Sequence, residues 1–317
     1  MKFIETLRDG EQVRGIYLCK QKNSAVTKTG KPYDNIILQD KTGCIDGKIW
    51  DPHSGGIMDF EALDYVDVSA EVITFNGALQ MNVRSLRKAQ EGEYDPADYL
   101  PSSTKNIEKM YDELLHLADS VRNSHLNRLL KSFFVGDTDF VKVFKKHSAA
   151  KSIHHSFIGG LLEHTLSVAK LCDFFASMYP VLNRDLLITA ALFHDIGKVY
   201  ELSQFPQNDY TDEGQLLGHI VVGYEIVGKR IDELPDFPAK MARELKHCIL
   251  AHHGELEYGS PKKPALAEAF ALNLADNADA RMETISEILL GGKPQEGTEW
   301  YGYQRMLETN IRRTDRY

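Results

Sequence analysis

The sequence predicts a multi-domain chain in which a small N-terminal β-barrel of five strands is followed by an all-α domain. Its 317 residues are about twice the length of a typical domain. Up to about residue 90, short runs of β-branched and aromatic residues lie between glycine-containing turns, whereas from about residue 105 apolar residues recur at helical spacing. We therefore expect a barrel over residues 1–90, a linker over residues 91–104 and a helical domain over residues 105–317.

The N-terminal strands are predicted from alternation between apolar and polar residues. Turn sequences such as TKTGKP, DKTG and FNGA separate them. The five predicted strands are VRGIYLCKQK, PYDNIILQD, CIDGKIWD, YVDVSAEVITF and ALQMNVRSLRK. Five strands of this kind resemble an OB-fold, whose strand face and loops commonly hold single-stranded nucleic acid.

The second domain is predicted to be helical throughout. The preceding segment AQEGEYDPADYLPSS contains prolines, acidic residues and a serine pair, which is typical of a linker. The expected helical segments are residues 106–134, 138–147, 157–178, 184–195, 215–232, 238–252 and 264–290. The apolar stripe of the first segment could bury against a second copy of the chain, giving a homo-oligomer, but packing within one chain explains it equally well.

The composition is that of an ordinary globular protein, with 43% hydrophobic and 26% charged residues. Collagen-like and disordered chains are therefore excluded. The four cysteines include no CxxC pair, so neither a disulfide scaffold nor a thiolate zinc site is expected. No stretch approaches the ~20 apolar residues of a spanning helix. We expect a soluble, cytoplasmic protein with no membrane partner.

The charge distribution favours the N-terminal module as the part that approaches a polyanion. Residues 1–90 contain 12 basic and 12 acidic residues, so the rest of the chain carries the whole net charge of −9. The candidate nucleic-acid contacts are cationic or aromatic: Tyr17, Lys20, Lys28, Lys31, Tyr33 and Arg84 in the barrel, with Lys145 and Lys146 in a later basic run. A purely structural barrel with solvated lysines and core aromatics explains the barrel residues equally well.

Histidine is the unusual feature of the second domain, because eight of the 12 histidines lie between His154 and His253. Several of them, and two aspartates, lie in or at the end of apolar helical stretches, where a polar group must be paired or metal-bound. Imidazole and carboxylate suit Mn²⁺, Fe²⁺, Mg²⁺ and Zn²⁺. Taken singly, each is more often an ordinary hydrogen-bonded residue, but the ordered set predicts a metal site: His164, His194, Asp195, His219, His252, His253 and Asp276.

The order of these residues resembles the HD-domain metal phosphohydrolase superfamily over about residues 150–280. The motif LFHDIGK carries most of the resemblance, and the additional downstream histidines resemble the two-metal branch. The resemblance implies two ligand sets that share Asp195 as a bridge: His164, His194 and Asp276 for the first ion, and His219 with one or both of His252 and His253 for the second. Asp279, on the same helical side as Asp276, is expected to support a ligand rather than to bind an ion.

Three residues are candidates for direct roles in catalysis. Asp195 is expected to set the separation of two ions, as two-metal hydrolysis requires. Lys198 follows Asp195 closely in the sequence and could reach a phosphate oxygen. It could equally be a helix-end lysine after Gly197 with no catalytic role. His155 could orient the substrate or protonate the leaving 3′ oxygen.

The whole chain resembles the YhaM family of 3′-to-5′ exoribonucleases of low-GC Gram-positive bacteria. The resemblance rests on an OB-like module followed by an HD domain with HHSFIGGLLEHTLSVAK and LFHDIGKVYEL. It implies an enzyme with two divalent ions, commonly Mn²⁺ but also Mg²⁺, Fe²⁺ or another divalent ion. Such an enzyme shortens single-stranded RNA, and in some members single-stranded DNA, to nucleoside 5′-monophosphates.

Other functions remain open at this point. A cyclic-dinucleotide phosphodiesterase of the HD-GYP type shares HDIGK, but AHHGELEYGSPKKP lacks the GYP tripeptide. A nucleotide phosphohydrolase with one ion would not need His219 or the pair His252 and His253. A single-strand-binding regulator with an inactive HD site is a third possibility, although every ligand position is filled.

Overall fold

The computed structural model describes residues 2–27, 29–151 and 155–315. The chain divides into two compact units, Met1–Ser102 and Ser103–Tyr317. Among the described residues, no helix combines the length and the apolar character that crossing a bilayer requires.

The first unit is a closed five-stranded barrel. Its strands are β1 (Gln12–Val26), β2 (Pro32–Asp40), β3 (Gly43–Ile49), β4 (Tyr65–Phe75) and β5 (Ala78–Lys88). They close in the order β1-β2-β3-β5-β4, with β3 and β5 parallel and the other neighbours antiparallel. A small closed barrel with this number of strands is the architecture of an OB-fold. The predicted N-terminal barrel is therefore confirmed.

Strand β1 closes the barrel because its first half, up to Leu18, pairs with β4 and its second half, from Leu18 onward, pairs with β2. A register shift between Cys19 and Gln21 lets the long strand bend between these two partners. The interior holds a separate apolar core that includes Val13, Ile36 and Val68. At Gly47 a Cβ would lie 2.7 Å from Cγ1 of Ile36, so a glycine there allows β2 and β3 to pack closely.

The segment that we expected as a linker packs against the barrel over most of its length. Tyr94 stacks on Tyr65 with ring centroids 3.8 Å apart, and Tyr99 contacts the same ring edge-on at 5.1 Å. Gln39 Nε2 donates to the carbonyl oxygen of Tyr99 at 3.0 Å. The first unit therefore extends beyond residue 90 to Ser102.

The second unit is helical, as predicted. Its helices are α1 (Ile107–Asp119), α2 (Ser124–Phe134), α3 (Thr138–Lys146), α4 (Gly160–Met178), α5 (Arg184–Phe193), α6 (Lys198–Glu201), α7 (Asp212–Asp232), α8 (Ala239–Ala251) and α9 (Ala267–Gly291). The single apolar stripe expected over residues 106–134 is divided between α1 and α2, because Asn123 accepts from the amides of His125 and Leu126 and caps the second helix. This stripe packs inside the core of the unit, so intramolecular packing accounts for it.

Helices α4 and α5 form the centre of this unit. Every residue of α5 from Leu186 to Phe193 is buried, as expected for a helix that is apolar on all sides. One element lies outside the all-α expectation, a hairpin of β6 (Trp300–Gln304) and β7 (Thr309–Arg312) near the C-terminus. The arginine-rich tail thus begins as a paired strand.

Candidate functional site

The candidate ligands converge from several helices and from the segments that follow two of them. His194 and His252 directly follow α5 and α8. The others come from α4, α7, α9 and the segments that follow α5 and α8: His164, Asp195, His219, His253 and Asp276. His164, His194, Asp195 and His252 are buried. Residues far apart in the sequence therefore share one polar interior.

A first cluster of donor atoms forms around Nε2 of His164. This atom lies 3.2 Å from Oδ1 of Asp276, 3.3 Å from Oδ2 of Asp195 and 3.2 Å from Nε2 of His194. The His194 nitrogen lies 3.4 Å from the same Asp195 oxygen. Four donor atoms thus face a common point, as in a site for a divalent ion with nitrogen and oxygen ligands.

A second cluster forms around the other oxygen of Asp195. Oδ1 lies 3.4 Å from Nε2 of His219 and 3.6 Å from Nε2 of His252. His253 joins these two histidines, with candidate ligand atoms within 4.8 Å of one another. The two oxygens of Asp195 therefore face different clusters, which is the geometry of a bridging carboxylate.

The second cluster also contains buried polar atoms that lack hydrogen bonds. Among the described residues, Oδ1 of Asp195, Nε2 of His219 and Nε2 of His252 have no hydrogen-bond partner. An unsatisfied buried polar atom costs about 1–3 kcal/mol. A cation between these three atoms would satisfy all of them at once, so the donor set fits a metal ion.

The imidazole rings are oriented so that Nε2 is free to bind a cation. In each ring Nδ1 donates to a carbonyl or carboxylate oxygen, which only accepts, so in the neutral ring the lone pair is on Nε2. Three rings donate to backbone carbonyl oxygens: His194 to Ala191 at 2.7 Å, His252 to Ile249 at 2.7 Å and His253 to Tyr258 at 2.8 Å. Two rings donate to carboxylates: His164 to Asp279 at 2.7 Å and His219 to Glu201 at 2.9 Å.

Asp279 contacts Nδ1 of His164, as expected of a residue that supports a ligand, and its role remains a prediction. Sequence reasoning did not select Glu201. It ends the motif LFHDIGKVYE, but it lies far from His219 in the sequence, and no periodicity connects the two. Burial raises the pKa of Glu201, but its hydrogen bond with His219 outweighs burial and lowers the pKa below the usual range.

The negative charge of the cluster is balanced in part by Lys198. Its Nζ lies 2.6 Å from Oδ2 of Asp195. Burial raises the pKa of Asp195, but Lys198 and His194 outweigh burial and hold it well below the usual range. Burial lowers the pKa of His164, but the carboxylates of Asp195, Asp276 and Asp279 raise it well above the usual range. These carboxylates around one imidazole create a strong demand for positive charge at this point.

A cavity of about 600 Å³ opens onto the two clusters. Its lining includes Lys151, His155, Lys198, Tyr210 and Tyr258. A cavity of this volume holds a small-molecule-sized ligand.

His155 is a buried residue of this wall. Its Nε2 lies 3.1 Å from Oδ2 of Asp279, and its Nδ1 has no hydrogen-bond partner among the described residues. Its φ of 59° lies in the left-handed region, which is uncommon for histidine. Gly160 packs directly against it, since a Cβ there would lie 2.0 Å from the carbonyl oxygen of His155. The local backbone thus holds an imidazole with a free nitrogen in the cavity wall.

Tyr17 was wrongly expected at the nucleic-acid surface. Its side chain is fully buried inside the barrel, where its hydroxyl donates to the carbonyl oxygen of Lys2 at 2.9 Å. Strand alternation places Tyr17 on the inner side with Val13 and Cys19. A buried ring cannot stack on a base, so Tyr17 is a core residue. Burial also raises the pKa of its hydroxyl.

Tyr33 lies in a different environment on the outer side of the barrel. It stacks on Trp50 with ring centroids 5.5 Å apart and an interplanar angle of 29°. Lys48 Nζ lies 5.4 Å from the Tyr33 centroid, and Trp50, which is 54% exposed, donates from Nε1 to Asn82 at 3.1 Å. We call Tyr33, Lys48, Trp50 and Asn82 the aromatic surface.

The predicted basic contacts are distributed unevenly. Lys20 and Lys31 are exposed, and Lys28 lies outside the described residues. Arg84 pairs with Glu71 at 2.5 Å. In α3, Lys146 is exposed, whereas Lys145 pairs with Glu108 and lies 4.9 Å from the ring centroid of Tyr111. Lys145 therefore already has partners within the helical unit.

Comparison with known proteins agrees with this geometry. Residues 161–281 match the family model of the HD domain. The second unit thus includes a region similar to an HD domain. The matched range includes every candidate ligand from His164 to Asp276, and the match indicates a metal-dependent phosphohydrolase. Imidazole and carboxylate bind several divalent ions, so this donor set is compatible with more than one metal.

A solved structure similar to part of this chain is the second OB-fold domain of replication protein A from Methanococcus maripaludis. It is 18% identical, and the match covers 29% of this chain and 98% of that chain with a TM-score of 0.23. The OB-like character of the first unit rests on its own strand order and closure.

Proposed function

We propose that this protein is a divalent-metal-dependent 3′-to-5′ exoribonuclease of the YhaM type, which shortens single-stranded RNA to nucleoside 5′-monophosphates and also accepts single-stranded DNA. The observation that carries the proposal is the arrangement of Asp195, whose two oxygens face separate sets of imidazole nitrogens. Two divalent ions bound there would supply a nucleophile from water at neutral pH and neutralise charge on the phosphoryl oxygens. The nitrogen and oxygen donors are compatible with Mn²⁺.

The residues of the chain provide the positioning around such a centre. Asp195 connects the two ligand sets, and the Nδ1 contacts hold each ring with Nε2 toward a cluster. Lys198 lines the same cavity and, as a compact positive charge, is suited to a non-bridging phosphate oxygen. His155 presents its free Nδ1 on the wall beside Asp279, where we assign it to contact with the substrate near the leaving 3′ oxygen.

We assign retention of the strand to the aromatic surface of the barrel. Exposed rings stack on bases of any sequence, and nearby lysines attract the phosphate backbone. Trp50 and Tyr33 provide the rings, and Lys48 provides the charge. We assign to this surface the base contact that was expected of Tyr17 from the sequence. Lys20 and Lys31 remain candidate contacts with the phosphate backbone of the strand. Tyr210 and Tyr258 could accept the terminal base, since both are exposed and line the cavity.

The proposal is tested with one RNA oligonucleotide that carries a label at either end. With Mn²⁺ present, a 5′ label should pass through a ladder of progressively shorter products, whereas a 3′ label should appear at once as a mononucleotide. A gel shift without cleavage would support a binding regulator instead. Hydrolysis of cyclic dinucleotides or free nucleotides, with no shortening of RNA, would support another phosphohydrolase activity.

A further inference from the structure

The candidate imidazole ligands differ in what holds their Nδ1 atoms. His194, His252 and His253 donate to backbone carbonyl oxygens. His164 and His219 donate to the carboxylates of Asp279 and Glu201. His164 belongs to the first cluster and His219 to the second, so each cluster contains one ring anchored by a carboxylate.

Glu201 holds His219 at two points with a single oxygen. Its Oε1 accepts from Nδ1 of His219 at 2.9 Å and from the backbone amide of His219 at 3.0 Å. That amide is available because Gly218, with φ of 72° and ψ of 157°, interrupts α7 directly before His219. In an uninterrupted helix the amide would bond to the carbonyl four residues earlier. The break in α7 therefore creates the Glu201 contact.

The backbones on either side of this contact are also fixed. The Thr211 amide donates to the carbonyl oxygen of Glu201 at 3.0 Å. At Gly197 a Cβ would lie 2.0 Å from the carbonyl oxygen of His219, so the segment before Glu201 packs directly against α7. Glu201 also follows Asp195 closely in sequence, in the single turn of α6. The segment that carries the bridging carboxylate thus also carries the anchor of His219.

The contact acts on the atom that would bind the ion. A carboxylate that accepts from Nδ1–H fixes the ring orientation and makes Nε2 a better donor. Nε2 of His219 is buried, has no hydrogen-bond partner among the described residues, and lies 3.4 Å from Oδ1 of Asp195. Loss of the anchor would leave the ring free to turn away from that position.

We propose that Glu201 is the positioning residue of the second ion site, and that it sets the affinity of the Asp195, His219 and His252 cluster without touching the ion. This inference rests on the proposed function, since it requires two ions. Asp279 is the corresponding anchor of the first site through His164, and the two anchors act independently.

The test is Mn²⁺ titration of the metal-free full-length protein by calorimetry, with free Mn²⁺ counted by electron paramagnetic resonance. The wild type is expected to bind two ions. Glu201→Ala should weaken one site by about 10–100-fold and leave the other unchanged, and Glu201→Gln should weaken the same site less, because its amide oxygen still accepts. The matched control, Asp279→Asn, should weaken the other site.

A double variant identifies which site Glu201 controls. If Glu201 acts through His219, the variant Glu201→Ala with His219→Ala should bind Mn²⁺ no more weakly than His219→Ala alone. The combination of Glu201→Ala with Asp279→Asn should weaken both sites. Thermal melting of each metal-free variant separates weaker Mn²⁺ binding from loss of folding. If Glu201→Ala does not fold, the Mn²⁺ affinity of Glu201→Gln decides whether Glu201 controls one site.

The outcomes separate this inference from the function on which it rests. A wild type that binds two ions and shortens RNA, together with Glu201 variants of unchanged affinity at both sites, overturns the role of Glu201 alone. Equal weakening of both sites also overturns it, because Glu201 would then be a general structural residue. A wild type that binds no Mn²⁺ removes the proposed function itself.

Discussion

In the helical unit, imidazoles and carboxylates are buried among apolar helices, whereas in the barrel a tryptophan and a tyrosine lie stacked on the outer side. Both arrangements are unusual, because charged groups are normally exposed and large aromatic rings are normally buried. Within the described part of the chain, buried polar atoms such as Oδ1 of Asp195 have no hydrogen-bond partner, and a cation would satisfy them. The ring of Trp50 remains 54% exposed although it stacks on Tyr33. Under the proposed function, the helical unit would hydrolyse the strand and the barrel would retain it.

Substitution of Asp195 should have the largest effect, because this residue belongs to both clusters. We expect Asp195→Ala to lower hydrolysis by about 10⁴-fold or more and to remove Mn²⁺ from both sites, while the barrel still shifts the oligonucleotide in a gel. The assay is end-labelled RNA cleavage together with a gel shift.

Controls for this experiment address folding, since Lys198 loses its partner in the variant. Asp195→Asn keeps the volume of the side chain, and Asp139→Asn removes an exposed carboxylate that pairs with Lys142. Cleavage at the wild-type rate by purified Asp195→Ala would contradict the two-ion assignment.

Removal of metal should abolish hydrolysis and also lower stability. An ion that binds only the folded state, at a concentration of 100 times its Kd, adds about 2.7 kcal/mol to the free energy of unfolding. We therefore expect EDTA to lower the melting temperature of the helical unit and Mn²⁺ to restore it, with no such change in Asp195→Asn. An equal response of the wild type and the variant would mean that the metal acts elsewhere.

The same comparison explains which parts of the site could be predicted from the sequence. The candidate ligands interrupt apolar helical stretches in an order that resembles the HD-domain superfamily, so they could be selected without a structure. Glu201 was not visible, because its contact depends on the break at Gly218, which aims a backbone amide at a carboxylate distant in the sequence. Such a contact forms only in the folded chain, so no local sequence pattern indicates it.

The fold of the barrel could be predicted from the sequence, but which of its residues face outward could be predicted less well. In β1, apolar residues occur on both sides of the strand, so alternation did not decide whether Tyr17 or its neighbours face inward. Residues 91–102 have the composition of a linker, yet Tyr94 and Tyr99 pack on Tyr65. In both cases the environment of an aromatic ring depends on barrel closure, which local patterns do not specify.

Substitution in the aromatic surface should have an intermediate effect, limited to binding. Stacking on an aromatic ring contributes about 1–3 kcal/mol per base, so Trp50→Ala should weaken binding of single-stranded RNA by about 5- to 150-fold. Tyr17→Phe is the matched control: it removes the hydrogen bond to the Lys2 carbonyl oxygen, costs about 1 kcal/mol of stability and leaves binding unchanged. Fluorescence anisotropy at fixed salt measures both variants. Equal affinities of Trp50→Ala and the wild type would remove this surface from the proposal.

Single lysines should have the smallest effects, which appear mainly in the salt dependence. Each phosphate contact on a single strand contributes about 0.7 to the slope of log K against log salt. Lys20→Ala and Lys31→Ala should each reduce the slope by about that amount, since both lysines are exposed on the barrel. Lys145→Ala should leave the slope unchanged, because Lys145 already pairs with Glu108. A reduced slope for Lys145→Ala with none for the barrel lysines would reverse the assignment and give the helical unit the main contact with the phosphate backbone.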